Sequence, residues 1–115
     1  SAFCGAVSAG AGAGAGIAYL MGSDLDGISH TVANAIATTG GIVCDGAKAS
    51  CASKIATAAE AGILGYNMHV QNQNFQPDDG LVGETPEDTI ANIGRLGKEG
   101  MKGTNEEIIK IMVGE

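Results

Sequence analysis

Three cysteines are the side chains in this sequence best suited to chemistry. Cys44 and Cys51 lie seven positions apart, after the helix-breaking pair Gly40-Gly41, and Cys4 lies forty positions before Cys44. If the chain between Cys4 and Cys44 folds back as two antiparallel helices, Cys4 returns to the end of the bundle that holds the other two. The spacing therefore predicts that the three thiols converge on one point.

Several kinds of site use thiols, and the sequence does not favour them equally. A zinc site needs four protein ligands, or three and a water, but the chain has no C-x-x-C pair and His30 and His69 lie far from the cysteines. A nucleophilic cysteine needs a histidine beside it, and no spacing here fixes one. A phosphate-binding loop is excluded as well, because Ala47 separates Gly46 from Lys48 where the motif needs them adjacent.

An iron–sulfur cluster takes thiolate ligands, and three of them hold a [4Fe–4S] cube with one iron left open to substrate. Cys44 is expected in a loop and Cys51 in the first turn of the helix that follows. Backbone N–H groups and the helix dipole stabilise thiolates at that position. From the spacing alone, small buried thiols that hold nothing are an equally good interpretation.

Two helices are predicted before Cys44. Residues 2–22 carry no charge and include four Ala-Gly repeats from Ala9 to Gly16. Each glycine costs a helix about 1 kcal/mol relative to alanine, so only close packing against other backbones can offset this composition. A cap at Ser23-Asp24 starts a second helix, which ends at Gly40-Gly41. On this second helix, His30 and Asn34 form a polar stripe, interpreted as solvated or hydrogen-bonded rather than ligand-binding.

Three further helices are predicted after Cys44. Asp45 or Gly46 caps the third helix, which reaches the Ile63-Leu64 region, and the polar residues 67–83 form a loop. Thr85 followed by Pro86 is typical of a helix start. Thr104 with Glu107 forms a capping box for a final amphipathic helix.

These patterns predict an all-α fold, a compact bundle of about five helices with the cysteine-bearing loop between helices two and three. Two Phe, two Tyr and no Trp accompany nineteen glycines, which favours closely approaching helices over a thick sheet sandwich. A length of 115 residues predicts a single domain covering residues 1–115.

Charge and composition exclude several functions. The net charge of −7 leaves no basic face for nucleic acid or for anionic membrane surfaces. The uncharged residues 2–22 are mostly Gly, Ala and Ser, which are too weakly hydrophobic to insert into a bilayer. An odd number of cysteines, without a recognisable secretory segment, predicts a cytoplasmic protein.

A family resemblance follows from the cysteine region. The run from Gly41 to Lys54 (GIVCDGAKASCASK) resembles the signature of the L-cysteine desulfidase group, which belongs to the iron–sulfur L-serine dehydratase alpha-chain superfamily and has many uncharacterised members. The opening Ser1 to Cys4 and the closing Glu106 to Met112 resemble the same family. The resemblance covers essentially the whole chain and implies the C-terminal portion of a protein several times longer. The opening residues by themselves indicate a chain cut inside a helix.

The resemblance also implies a specific chemistry. The full-length protein would be a [4Fe–4S] lyase that performs β-elimination, either from L-cysteine to pyruvate, ammonia and sulfide or by dehydration of L-serine. Cys4, Cys44 and Cys51 would bind the cluster. The catalytic base would lie in the missing N-terminal part, so this fragment alone would be inactive. Lys48 and Ser50, between two ligands, are hypothetical contacts to substrate or cluster, and surface solvation is an equal interpretation for Lys48.

A second hypothesis is a non-catalytic helical scaffold or interaction domain whose thiols are empty. Three thiols at the family's spacing favour the lyase. The expected partners are a small amino-acid substrate and the missing N-terminal part of the same chain. A face shaped to pack on that part would be exposed here and would allow a homo-oligomer.

Overall fold

A computed structural model describes residues 3–115, and helices dominate this range. They are α1 (Ala6–Leu20), α2 (Leu25–Thr39), α3 (Ala49–Val70), α4 (Pro86–Arg95) and α5 (Lys102–Val113), with a π-helical turn at Leu96–Gly100 between the last two. The β structure within residues 3–115 is a single antiparallel bridge between Phe3 and Val43. The all-α prediction is therefore confirmed, as is the position of the cysteine-bearing loop between α2 and α3.

The glycine-rich helix α1 is buried on one side, as its composition predicts. Gly10 faces Ala58, and a Cβ atom added at Gly14 would lie 2.8 Å from the Cα atom of Gly62. Residue numbers rise together along this contact, so α1 and α3 are parallel. Two backbones can approach this closely only because Gly14 and Gly62 lack side chains, and we call this contact the α1–α3 seam.

Helix α2 is the antiparallel return segment between α1 and α3. Gly27 near its beginning faces His69 near the end of α3, whereas Gly65 faces Thr31 further along. Asp24 caps α2, its carboxylate accepting a hydrogen bond from the Gly27 amide at 2.9 Å. The predicted fold-back of two antiparallel helices between Cys4 and Cys44 is thus present.

The polar stripe on α2 is hydrogen-bonded. Asn34 is fully buried, and its Nδ2 donates to the Gly65 carbonyl at 3.1 Å and to Asn74 Oδ1 at 3.0 Å. Its Oδ1 accepts from the Phe75 amide at 3.1 Å. The loop after α3 is therefore attached to α2 through one side chain. His30, one turn earlier, stacks on His69 with ring centroids 5.5 Å apart.

The bounds of α3 differ from the prediction at both ends. The helix begins at Ala49 with Lys48 at the N-cap position and no side-chain cap, because the Asp45 carboxylate pairs with Lys54 instead. It continues beyond Ile63-Leu64 to Val70, because Gly65 and His69 pack against α2. Residues 67–70, which were predicted to begin the loop, are therefore helical, and the loop starts at Gln71.

The start of α5 was also predicted wrongly. Thr85 caps α4, accepting from the Asp88 amide at 3.1 Å, as predicted. The chain then stays helical through the π turn, so α5 begins at Lys102 and needs no new cap. Thr104 lies inside its first turn.

The first described residues, Phe3 and Cys4, are not helical. Ser1 and Ala2 lie outside the described residues, whereas Phe3 bridges Val43 and Cys4 precedes α1. The expectation of a chain cut inside a helix is therefore wrong for the part that the structure describes. Within that part, the structure offers no helix that combines the length and the apolar character needed to cross a membrane.

Candidate thiol site

The parallel arrangement of α1 and α3 places both helix N-termini at one end of the bundle. Cys4 directly precedes α1, whose N-cap is Gly5, and Cys51 lies in the first turn of α3. The Cys4 amide donates to the Ile42 carbonyl at 2.9 Å. This short extended contact brings the loop that carries Cys44 beside the start of α1.

All three thiols line one cavity of about 320 Å³, which we call the thiol cavity. At about 30 Å³ for each water molecule, this volume corresponds to roughly ten waters. Its remaining walls are small or apolar residues: Gly5, Ala6, Ala9, Gly46, Ala47 and Ile55. Cys4 is buried, Cys51 is partly buried and Cys44 is exposed, and all three are free thiols.

The thiol cavity offers sulfur as its donor type, which is the type that iron–sulfur clusters use. Among residues 3–115, no three His, Cys, Asp or Glu side chains are grouped around one ion position. The cavity lining contains neither histidine nor carboxylate, which are the usual fourth ligands of zinc. Ligands of a cluster bind different irons and lie further apart, so three thiols around a shared cavity fit this group.

Helix dipoles favour negative charge at this end of the bundle. The first N–H groups of a helix have no acceptor within the helix, and together they act as roughly half a positive charge. Because α1 and α3 are parallel, both positive ends face the same region as Cys4 and Cys51. Unpaired backbone N–H groups of two helices therefore lie at the end of the bundle that carries Cys4 and Cys51.

Lys54 fixes the loop that carries Cys44. Its Nζ atom donates to the Val43 carbonyl at 2.9 Å and to Asp45 Oδ1 at 2.7 Å. These two acceptors belong to the residues on either side of Cys44. The Lys54 side chain is only 20 % exposed, so its position on α3 determines where the loop lies.

The charges near the thiols are coupled through this ion pair. The hydrogen bond from Lys54 lowers the pKa of the Asp45 carboxyl below its ordinary value. The same hydrogen bond raises the pKa of the Lys54 ammonium, and electrostatic interaction with Cys4 and Cys44 adds to this increase. Lys54 is therefore a cation close enough to interact with two of the three thiols.

The two hypothetical contact residues do not line the thiol cavity. Lys48 is exposed and lines a neighbouring cavity of about 480 Å³, between the cysteine-bearing loop and the end of α5. Ser50 is exposed, and its carbonyl accepts from Ser53 Oγ at 2.9 Å. Met112 of α5 lies over Gly46, whose φ of +97° suits glycine.

Lys54 is a site residue that was not predicted from the sequence, although two signals were present. Lys54 follows Cys51 by three positions, which places the two on one side of α3. Asp45, next to Cys44, is an acidic residue that does not cap α3, because α3 begins at Ala49. The pattern that indicates such a residue has two parts. A basic residue lies about one turn into the cysteine-bearing helix, and an acidic residue lies next to the loop cysteine.

Comparison with known proteins identifies the family. The family model described as serine dehydratase alpha chain matches residues 1–110. A UPF0597 protein of Desulfitobacterium hafniense is 60 % identical over 115 residues, which is 100 % of this chain and 27 % of that protein. UPF0597 proteins of Finegoldia magna and Lachnoclostridium phytofermentans are each 50 % identical over 113 residues, covering 98 % of this chain and 27 % of theirs.

The chain thus spans about a quarter of the length of these curated relatives. No solved structure gives a significant match. The resemblance noted in the residues around the three cysteines is confirmed, since the family match covers almost all of the sequence. The chain belongs to the serine dehydratase alpha-chain family.

Proposed function

We propose that this chain is the cluster-binding part of an iron–sulfur lyase that performs β-elimination on a small L-amino acid. The observation that carries the proposal is the convergence of Cys4, Cys44 and Cys51 on one cavity. Three thiols and two helix N-termini are the environment that an anionic [4Fe–4S] cluster requires. L-cysteine, giving pyruvate, ammonia and sulfide, and L-serine, giving pyruvate and ammonia, are the two proposed substrates.

When bound, the cluster supplies a Lewis-acidic iron with an open position for substrate oxygen or sulfur. The protein's own residues prepare that position. Cys4, Cys44 and Cys51 would hold the cluster as its protein ligands. Ala6, Ala9 and Ile55 line the cavity beside the cysteines and offer no competing polar donors.

The proposed elimination breaks two bonds of the substrate. A base removes the Cα proton, and the electron pair forms the Cα–Cβ double bond as sulfide or water leaves Cβ. The resulting enamine takes up water and releases ammonia to give pyruvate. Atoms and charges balance without an oxidant or reductant.

The base for the first step is proposed to lie elsewhere in a protein of the relatives' length. Apart from the three cysteines, the described residues that line the thiol cavity are glycine, alanine and isoleucine, which cannot take up a proton. Asp45 and Lys54 lie nearby but are engaged with each other. This chain is therefore proposed to bind the cluster and to be inactive alone.

Anaerobic iron–sulfur reconstitution tests the proposal. The parent chain and the variants Cys4→Ala, Cys44→Ala and Cys51→Ala would be compared, with Ser53→Ala as the control because Ser53 is exposed on the same helix. We expect visible cluster absorbance with iron and sulfide in equal amounts for the parent and the control. Each cysteine variant should lose the absorbance or convert it to a smaller cluster.

A longer form, with the length of the relatives, separates the remaining outcomes. If neither this chain nor the longer form binds iron, the lyase proposal fails and the helical scaffold with empty thiols remains. If the longer form binds a cluster, release of sulfide from L-cysteine and of pyruvate from L-serine identifies the substrate. A loaded protein that releases neither product contradicts the proposed reaction.

The proposed partner of this chain is the remainder of such a longer protein. Leu20 and Leu25, at the end of the bundle opposite the thiols, are 82 % and 79 % exposed, and Ile111 on α5 is 68 % exposed. Exposed apolar side chains in such numbers mark contact surfaces. Because about three quarters of each relative lies outside the matched region, we propose that this remainder covers them. In its absence, self-association of the isolated chain is the expected result.

A further inference from the structure

We propose that Lys54 is a positioning residue of the thiol site, which holds the Cys44-bearing loop in the arrangement needed for ligation and places a positive charge beside the bound cluster. The first part of this proposal concerns the chain alone. The second rests on the proposed function, because it needs the cluster to be present.

The first argument is geometric. Lys54 Nζ bonds to the Val43 carbonyl and to the Asp45 carboxylate, so it constrains the chain on both sides of Cys44. The Cys44 side chain itself is exposed. Between Ile42 and Ala49, the loop also pairs with the residues before α1, through the Cys4 amide and the Phe3–Val43 bridge, and Met112 contacts Gly46. Lys54 therefore provides the side-chain hydrogen bonds that attach both neighbours of Cys44 to α3.

The second argument concerns charge. The bonds to Val43 and Asp45 hold Lys54 Nζ beside Cys44, and electrostatic interaction with Cys4 and Cys44 contributes to the raised pKa of Lys54. The lining of the thiol cavity contains no cation of its own among the described residues. A cluster with three thiolate ligands is anionic, and its reduction potential depends on neighbouring charge and hydrogen bonds. A fixed ammonium close to two ligands makes the addition of an electron more favourable. Asp45 keeps this ammonium in position rather than allowing it to extend into solvent.

The side chain of Lys54 is suited to both parts. It reaches from the first turns of α3 to the loop through four methylene groups, which are largely buried together with the charge. Arginine would keep the charge and the donors, whereas methionine would keep a similar length and lose both. The two substitutions therefore separate charge and hydrogen bonding from packing.

The test begins with the chain without metal. Amide hydrogen exchange of residues 42–48 would be measured for the parent, Lys54→Met, Lys54→Arg and the control Lys102→Met, which removes a lysine from an ion pair with Glu99 on the surface. We expect exchange in this segment to accelerate about tenfold in Lys54→Met, since local opening no longer breaks the Lys54 bonds. Lys54→Arg should stay within about threefold of the parent, and Lys102→Met should not change. Equal exchange in the parent and Lys54→Met overturns the proposed positioning role.

The second measurement uses reconstituted protein, in this chain or the longer form. The midpoint reduction potential should shift to more negative values in Lys54→Met, remain near the parent value in Lys54→Arg, and not change in Lys102→Met. If Lys54 acted only by holding the loop, the reduction potential would not depend on whether the side chain is charged. Equal shifts of the potential in Lys54→Met and Lys54→Arg therefore overturn the electrostatic part. If no cluster forms in any protein, the proposed function fails, while the exchange data still decide the positioning role.

Discussion

The three-helix unit of α1, α2 and α3 and the C-terminal arm of α4 and α5 are held in different ways. In the unit, backbones lie in direct contact along the α1–α3 seam, where a Cβ atom added at Gly62 would lie 2.5 Å from the Gly10 carbonyl oxygen. In the arm, none of the residues from Lys102 to Val113 is buried. Helix α4 contacts the unit mainly through Ile93, which lies beside Gly40.

This difference separates two uses of apolar residues. The unit uses glycine and alanine to bring three helix backbones together, which fixes the positions of Cys4 and Cys51 with little freedom. The arm carries larger apolar side chains, such as Ile109 and Val113, on an exposed surface. The backbone is therefore most tightly constrained in the region that holds the thiols, and the arm is available for contact with further protein.

The largest effect is expected from adding a methyl group to the seam. Gly62→Ala would place its Cβ against the Gly10 carbonyl and the Gly14 amide, and neither backbone can move without separating the helices. Overpacking of this kind costs about 3 kcal/mol of unfolding free energy or more, well above the gain in helix propensity. Denaturant unfolding followed by circular dichroism would measure it.

The matched control is Gly12→Ala, in the same repeat. Gly12 has no atom within 4 Å of an added Cβ, so this variant should gain about 0.5–1 kcal/mol from reduced backbone entropy and better helix propensity. If both variants lose stability equally, the close contact along the α1–α3 seam does not determine how the helices of the unit are positioned.

An intermediate effect is expected at Asn34, which attaches the loop after α3 to the unit. Asn34→Ala leaves the Phe75 amide without its partner and removes the bonds to the Gly65 carbonyl and to Asn74 Oδ1. Leaving buried polar groups unpaired costs about 1–3 kcal/mol, and the loss should be accompanied by faster hydrogen exchange from Gln71 to Phe75. Thr38→Ala, which removes only a local bond to the Asn34 carbonyl, provides the comparison. Unchanged exchange in Asn34→Ala would show that the loop is held by other contacts.

The smallest effect on stability is expected in the arm. Ile109→Ser replaces a half-exposed side chain on α5 and should change the unfolding free energy by less than about 0.5 kcal/mol. Its effect should appear in assembly instead, as weaker self-association of the isolated chain in sedimentation velocity. A loss of stability comparable to that of Asn34→Ala would place α5 within the cooperative core.

Local signals in the sequence were sufficient for much of the fold. The cap at Asp24 and the cap at Thr85 act on neighbouring amides, so the sequence shows them directly. The burial of the Ala-Gly helix follows because such a helix has no other source of stability. The convergence of the three thiols follows from helix lengths and the turn at Gly40-Gly41.

Features that depend on distant contacts could not be predicted in this way. The true end of α3 is determined by packing of Gly65 and His69 on α2, which the local pattern does not contain. Asn34 finds its partners forty residues later, at Asn74 and Phe75. The role of Lys54 depends on its ion pair with Asp45, whereas the local sequence predicts that Asp45 caps α3.

The parallel orientation of α1 and α3 has a consequence for the order of assembly during synthesis. Cys4 is made forty residues before Cys44, and the return of α2 brings their segments together, whereas Cys51 joins them only once α3 has docked. Until then the three thiols are not together, and Cys44 and Cys51 are closer to each other along the chain than either is to Cys4. A ligand that needs all three cannot guide the early stages of folding. The nascent chain must complete its bundle first, and during that interval its thiols are open to oxidation.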